Sequence, residues 1–309
     1  MTVQEARRFI SDYYYNNNPT SEDFFLFEEA QLFLINTFHD PRDMHNLAFT
    51  YLEQRRFDLE CKYLEMAAEY GYYPAIEELG YIWYYGQTGT VDYKKAFEYF
   101  SKGTESEDDI IKVGCEYKLA DMYHNGFYVE KDEAKYIGII EEIYDKITHP
   151  EKIKSVYGVD YMPFPDVAYR LAGIRAEQGK IEEALKLLEK AKRRLAEDIR
   201  SNPSWWGNLE VMDNITTLAN EISSEDKVRL DIYDLYWISK NVCRVAFLYN
   251  GRRFIIDITP GEEGNIIGFD NKWYRNARDF FEKAEIDGKK IVFIYDEIYD
   301  LEVEYGRAD

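Results

Sequence analysis

The chain has 309 residues, 46% of them hydrophobic and 31% charged, enough for two domains with buried cores. With 59 Asp and Glu against 38 Lys and Arg the net charge is −21. That sign repels nucleic acid and anionic lipid, which are held by Lys and Arg, and favours a basic protein or peptide partner.

The opening residues MTVQEARRFISDYY contain no apolar core, so no secretory leader is expected and the chain reads as cytoplasmic. The three cysteines, Cys61, Cys115 and Cys243, are too scattered for a disulfide framework or a zinc cluster and read as buried thiols. Helices are predicted over about 3–14 and 21–37, capping the helical stretch that begins near 41. The second contains FFLFEEAQLFLI, which Glu28 and Glu29 interrupt and which is too short to span a bilayer. His39, Asp40, Asp43 and His45 are the one cluster of metal-ligand residue types. Asp40 before Pro41 is also a helix start, and that is the simpler reading. No metal or cofactor is expected.

From about 41 to 200 the apolar residues recur with helical spacing and in repeated phrases. In 75–103, Leu79, Gly80 and Trp83 share one helix face, Gly86 stops that helix, and Ala96, Tyr99 and Phe100 begin a second face. Cys115, Leu119, Ala120, Tyr123 and Gly126 repeat Ala75, Leu79, Gly80, Trp83 and Gly86 with a shift of 40 residues. Val129 and Ala134 then match Val91 and Ala96 with a shift of 38, which predicts a second loop two residues shorter. A copy downstream carries Leu171, Ala172, Gly179, Ala184, Leu188 and Ala191; one upstream carries Leu47, Ala48, Tyr51, Leu64 and Ala67.

The 75–103 unit resembles a Sel-one-like repeat, through Ala75, Leu79, Gly80, Trp83, Gly86, Val91, Lys95, Ala96 and Tyr99. The first and last copies are closer to the related tetratricopeptide repeat, although Glu60 replaces its middle Ala and Arg175 stands where an aromatic is expected. The resemblance implies a mainly α protein, an α/α solenoid of stacked helix hairpins over 1–239, because one hairpin cannot bury its own apolar face. Leu79, Trp83, Ala96, Leu119, Tyr123 and Ala134 are then expected inside. Segments 204–221 and 224–238 read as further helices.

After Lys240 the pattern alternates. VCRVAFLYNGRRFIIDIT predicts a hairpin turning at Asn250-Gly251. GEEG is a turn, NIIGF and KWYR are strands, and Asn276 caps a helix ending at Asp287-Gly288. IVFIYDEIYDLEVEY fits helix or strand. Residues 240–309 are expected to form a small α+β module of no recognised family, with 11 Lys and Arg against 14 Asp and Glu. Arg252, Arg253, Lys272, Arg275 and Arg278 give it local positive density. The basic run from Lys186 to Arg194, Lys192 included, reads as a helix surface laced by i,i+4 pairs.

No phosphate loop, GxSxG or CxxC occurs, and Gly86-Gln87-Thr88-Gly89 lacks the spacing to cradle phosphate. The chain is therefore read as a non-enzymatic protein-binding scaffold. Carried onto this sequence, the ligand-facing repeat positions select Phe49, Glu53, Tyr81, Tyr84, Tyr85, Tyr117, Asp121, His124, Asn125 and Tyr169. The implied concave wall is aromatic and acidic, suited to a basic or aromatic-rich segment held by cation–π and charge-assisted contacts. Two alternatives stay open: an immunity-type inhibitor of a basic toxin, and an enzyme with its site in the C-terminal module.

Overall fold

Threonine opens the first two helices. Thr2 and Thr20 each accept the amide of a residue three positions on, Glu5 or Asp23, whose carboxylate reaches back to the threonine amide. These boxes start α1 (Val3–Tyr15) and α2 (Ser21–Phe38). The computed structural model describes residues 1–16, 20–155, 163–201, 206–223 and 230–305. The chain forms two compact units, Met1–Met162 and Pro163–Asp309.

In the first unit Asp40 caps α3 (Pro41–Glu53), accepting from the Arg42 amide at 2.9 Å, so the cluster expected as a helix start is one. α3 pairs with α4 (Phe57–Glu69), α5 (Tyr73–Tyr85) with α6 (Tyr93–Gly103), and α7 (Asp109–Asn125) with α8 (Glu133–Ile147). Successive hairpins pack α4 on α5 and α6 on α7, and first helix meets first helix where α5 touches α7. The core follows the repeated small and apolar residues, with Leu47, Ala48, Leu64, Ala67, Ala75, Leu79, Ala96 and Phe100 buried. Gly103 and Gly80 permit close approach: a Cβ on Gly103 would lie 2.2 Å from Cys115 Sγ, and one on Gly80 2.5 Å from the Phe100 ring.

The two central hairpins keep one register throughout. Gly86 and Gly126 end α5 and α7 in the left-handed region, at φ 67° and 70°. Asp92 and Asp132 cap α6 and α8, accepting from Lys95 and Lys135, and their own amides bond Trp83 O and Tyr123 O at 2.9 and 3.0 Å. The shift is therefore 40 residues in the second helix too, and the loops are equal in length. The expected shift of 38 is wrong: Tyr136 takes the place of Ala96 and is buried, while Ala134 is exposed. The alanine pattern misleads here because the second copy fills that place with a tyrosine. Trp83, Leu119 and Tyr123 are half-buried rather than buried. Lys95 lies 3.7 Å from the Trp83 ring centroid and Lys135 4.0 Å from that of Tyr123, so these aromatics close the hairpin under a lysine.

The second unit begins with α9 (Phe164–Glu177) and α10 (Ile181–Ser201), followed by α11 (Trp206–Ile222). Of the expected helix 224–238, residues 224–229 lie outside the described set. The rest is a 3-10 turn at Ile232–Asp234 and one helical turn, α12 (Leu235–Ile238). Asp234 explains the break. Fully buried, it accepts from Thr216 of α11 at 2.5 Å, from Lys192 of α10 at 2.5 Å, and from the Asp231 amide at 2.7 Å. Lys192 thus points inward, unlike the rest of its run, where Arg193 pairs with Glu189 and Arg194 with Asp198 on the surface. This buried network joins the helices to the segment that leads into the sheet.

The hairpin turns as expected, with β1 (Cys243–Tyr249) and β2 (Arg252–Gly261) joined at Asn250-Gly251, φ 48° and 72°. β3 (Gly264–Phe269) and β4 (Lys272–Tyr274) continue the sheet. Asn276 caps α13 (Ala277–Lys283), which stops earlier than expected. Asp287-Gly288 is instead the turn of a second hairpin, β5 (Glu285–Ile286) with β6 (Lys289–Lys290), its residues at φ 52° and 77°. The ambiguous last segment resolves as 3-10 turns leading into β7 (Ile298–Tyr305). Sheet order is β4-β3-β2-β1-β7, all antiparallel. Val245, Phe247, Ile256, Ile258, Ile267 and Phe269 are buried on one face, where Phe280 of α13 meets Phe269 edge-on at 5.6 Å.

Candidate functional site

Five of the ten residues selected from sequence meet at the junction of α5 and α7, around a residue that the repeat pattern does not single out. Lys118 is 4% exposed. Its Nζ donates to the Tyr85 hydroxyl at 2.6 Å and lies 3.7 Å from Asp121. The ring centroids of Tyr84, Tyr85 and Tyr117 are 5.0, 4.9 and 4.9 Å from that nitrogen, and that of Tyr81 is 5.7 Å away. Tyr81 and Tyr117 share a hydroxyl–hydroxyl bond of 3.1 Å between the two helices. Helical spacing creates the cage: Tyr81 and Tyr85 stack one turn apart on α5, and Tyr84 packs edge-on against Tyr85 at 5.0 Å. Burial lifts the Tyr81 phenol well above its usual range, with Tyr117 and Glu77 adding to the shift.

The cation that these aromatic and acidic side chains surround is the protein's own Lys118. Only Tyr85 of the four tyrosines stays open, at 56% exposure. A lysine set between Tyr117 and Leu119 in one repeat was the available signal; attention to the tyrosines alone misses it.

Of the other selected residues, four belong to the first unit. Phe49 and Glu53, one turn apart on α3, are both exposed. His124 is held within its own hairpin, 3.0 Å from Glu133 and 4.5 Å from the Tyr136 ring. Asn125 is exposed and donates to Asp121 O at 2.8 Å. Tyr169 is half-buried on α9, in the second unit.

Next to the cage sits an acid group that the repeat frame also contains. Glu77, one turn before Tyr81, lays its carboxylate against Gly114 of α7, where any side chain would collide with it. Burial first, then Glu78 and Asp108, raise it to about 8. On α4 the buried Glu60 is raised to about 7 by burial and by Glu78, and its Oε2 has no hydrogen-bond partner. Glu78 itself bonds His45 of α3 at 3.0 Å, a link between the first helices of adjacent hairpins.

Nothing in this array has the form of a nucleophile with its base. The cysteines are buried, and burial pushes Cys61 and Cys243 up to about 11. Among the described residues no three His, Cys, Asp or Glu converge as a metal site, and no helix is long and apolar enough to cross a membrane. The positive density expected in the C-terminal module is largely matched: Arg252 pairs with Asp287, Arg253 with Glu302, Arg275 with Asp279 and Arg278 with Glu282.

A helix pair closed by a left-handed glycine, an aspartate cap and a lysine-covered aromatic recurs at 40-residue spacing. In form, these hairpins resemble Sel-one-like repeats. No family model matches the chain, and no curated protein does. Solved structures do. The Sel1 repeat protein from Oxalobacter formigenes is similar at 16% identity over 73% of this chain and 80% of that one, with a TM-score of 0.49. A protective antigen of uropathogenic Escherichia coli that displays a Sel-one-like repeat fold matches at 16% identity over 77% of this chain and 68% of that one, TM-score 0.32.

Proposed function

We propose that this Sel-one-like repeat protein is a binding scaffold that acts without catalysis and holds a basic segment of another protein on the first helices of its repeats. The observation that carries this reading is the Lys118 cage, which fixes the exposed Tyr85 beside Asp121 on a chain of net charge −21. Tyr81, Tyr84 and Tyr117 act as the supports of that surface, and Tyr85 with Phe49 and Glu53 as its contacts. Rigid, exposed aromatics beside carboxylates suit a Lys- or Arg-bearing segment, since such rings lose little freedom on binding and attract cations.

The test is affinity capture from the native cell with the full chain as bait, read by mass spectrometry. Basic proteins should be retained, and a Phe49→Ala/Tyr85→Ala bait that melts like the parent should lose them. Undiminished capture by that variant would remove the first-helix surface from consideration.

A further inference from the structure

The seam between α5 and α7 holds an acid that the Lys118 cage does not use. Glu77 rests its carboxyl on the backbone of α7: a Cβ at Gly114 would lie 2.1 Å from Glu77 Oε1 and 3.6 Å from the Tyr81 hydroxyl. It thus stands beside the Tyr81–Tyr117 hydroxyl pair that joins the two helices. Among the described residues this carboxyl has no hydrogen-bond or ion-pair partner. The charges that act on it, Glu78 on α5 and Asp108 at the cap of α7, share its sign. Tyr81 on α5 and Cys115 on α7 are the other titratable groups that face it. His45 of α3 and Glu60 of α4 are directed at Glu78 instead. No cation offsets the burial: Lys118 turns its ammonium to Tyr85 and Asp121, and Lys102 of α6 donates to Ala68 O.

A neutral carboxyl can lie against a helix backbone, whereas a carboxylate in that place lacks both water and a counter-ion. The side of it that faces Gly114 is hydrated when α7 moves off α5. We propose that Glu77 is a proton-operated latch: neutral, it lets α7 close on α5 and the Lys118 cage form; ionised, it parts the two helices and takes the cage apart. As a control on binding the latch rests on the function proposed above; as a motion of α5 and α7 it does not. Its sign follows from linkage. The carboxyl titrates at about 8 in the closed joint, against 4.5 for an ordinary glutamate. Opening therefore releases a proton between those values and is favoured as pH rises, by up to about tenfold per pH unit.

The chain's own thiols read the motion. Cys115 follows Gly114 on α7, Cys61 lies on α4 and Cys243 in the second unit, and all three are buried. Each reacts through the opening that exposes it, so ratios between them cancel the common rise of thiolate with pH. The full chain carrying Glu60→Gln, which silences the other raised acid, is treated with iodoacetamide at about pH 6 and about pH 8 and read by mass spectrometry. Cys115 should gain about tenfold or more on both Cys61 and Cys243 between the two. Lys118 should become open to acetylation in step, with the buried Lys192 of the second unit as its reference. Adding Glu77→Gln should hold both ratios flat, with thermal melting followed to check its fold. A flat Cys115 ratio, or a rise that survives Glu77→Gln, overturns the latch. A rise shared by Cys61 would mean that the whole unit unfolds, and overturns it equally. Lys118 staying closed while Cys115 opens would separate the motion from the cage and overturn it too. None of these readings needs a partner, so a failed latch leaves the affinity-capture test of the binding surface standing.

Discussion

Glu60 and Glu77 make the first unit's stability depend on pH in an unusual direction. Both carboxyls are raised in the folded chain, to about 7 and about 8, so between pH 4.5 and 8 the native state holds more protons than the unfolded one. Stability then falls as pH rises through that window, by about 2–4 kcal/mol for the pair once solvent screening is allowed for. Glu60→Gln should flatten the profile and stabilise the chain at pH 8 by about 1–2 kcal/mol, seen in urea unfolding at pH 5.5 and pH 8. A variant less stable than the parent at pH 8 would show that the charged form is supported after all. Lys118 carries a second prediction. Lys118→Met leaves Asp121 buried without its cation and should cost about 2–4 kcal/mol, partly recovered by adding Asp121→Asn. Glu77 and Lys118 did not stand out in the sequence, because a glutamate or lysine in a helical pattern is ordinarily solvated and only the neighbouring hairpin buries it; Glu60 did, standing in the place of the repeat's middle alanine. The tyrosines were legible because they recur; what they surround was not.

At the scale of elements, the turns and caps were readable because their chemistry is local. Asn250-Gly251 and the caps at Asp40 and Asn276 fold as the sequence indicates, since positive φ or an orphan amide calls for those side chains. Gly251→Val places a branched residue at φ 72° and should destabilise the module by about 1–2 kcal/mol in thermal unfolding. The misread elements turn on distant partners. The 224–238 helix is broken where Asp234 reaches Lys192 and Thr216, residues 42 and 18 positions away, and Asp287-Gly288 makes a hairpin because a strand returns beside β5. Between repeats, the junction of α6 and α7 depends on Gly103 lying against Cys115. Gly103→Ala gains helix propensity but forces a methyl onto Cys115 Sγ, a net loss of about 1–3 kcal/mol. Cys115→Ala in that background removes the obstructing sulfur and should restore part of the loss. If Gly103→Ala alone stabilises the chain, the hairpins are spaced more widely than described.

For the whole molecule, charge and aromatic surface should act on different steps of binding. Residues 240–309 carry 11 Lys and Arg against 14 Asp and Glu, −3, so the remaining −18 of the −21 lies in the helical part. Attraction of that size acts over roughly a Debye length, about 8 Å at physiological salt, and accelerates encounter with a basic partner. Contacts made after docking govern how long the complex lasts. For a partner recovered by affinity capture, raising salt from about 0.05 to 0.5 M should slow association by about tenfold or more and change dissociation little. Glu53→Gln, on an exposed position of α3, should reproduce a small part of that slowing. Tyr85→Ala should instead speed dissociation by about tenfold, because it removes an exposed ring whose place is fixed by Lys118. Lys118→Met is the informative comparison. It keeps Tyr85 but frees it, so the bound contact survives while the ordering cost rises, and affinity should fall by less than in Tyr85→Ala. Stopped-flow or surface-based kinetics on the three variants at two salt concentrations separates the two effects. A Tyr85→Ala protein that dissociates at the parental rate, with salt still controlling association, would move the docking contact away from the cage and leave the acidic charge as the one feature of the first helices that the partner senses.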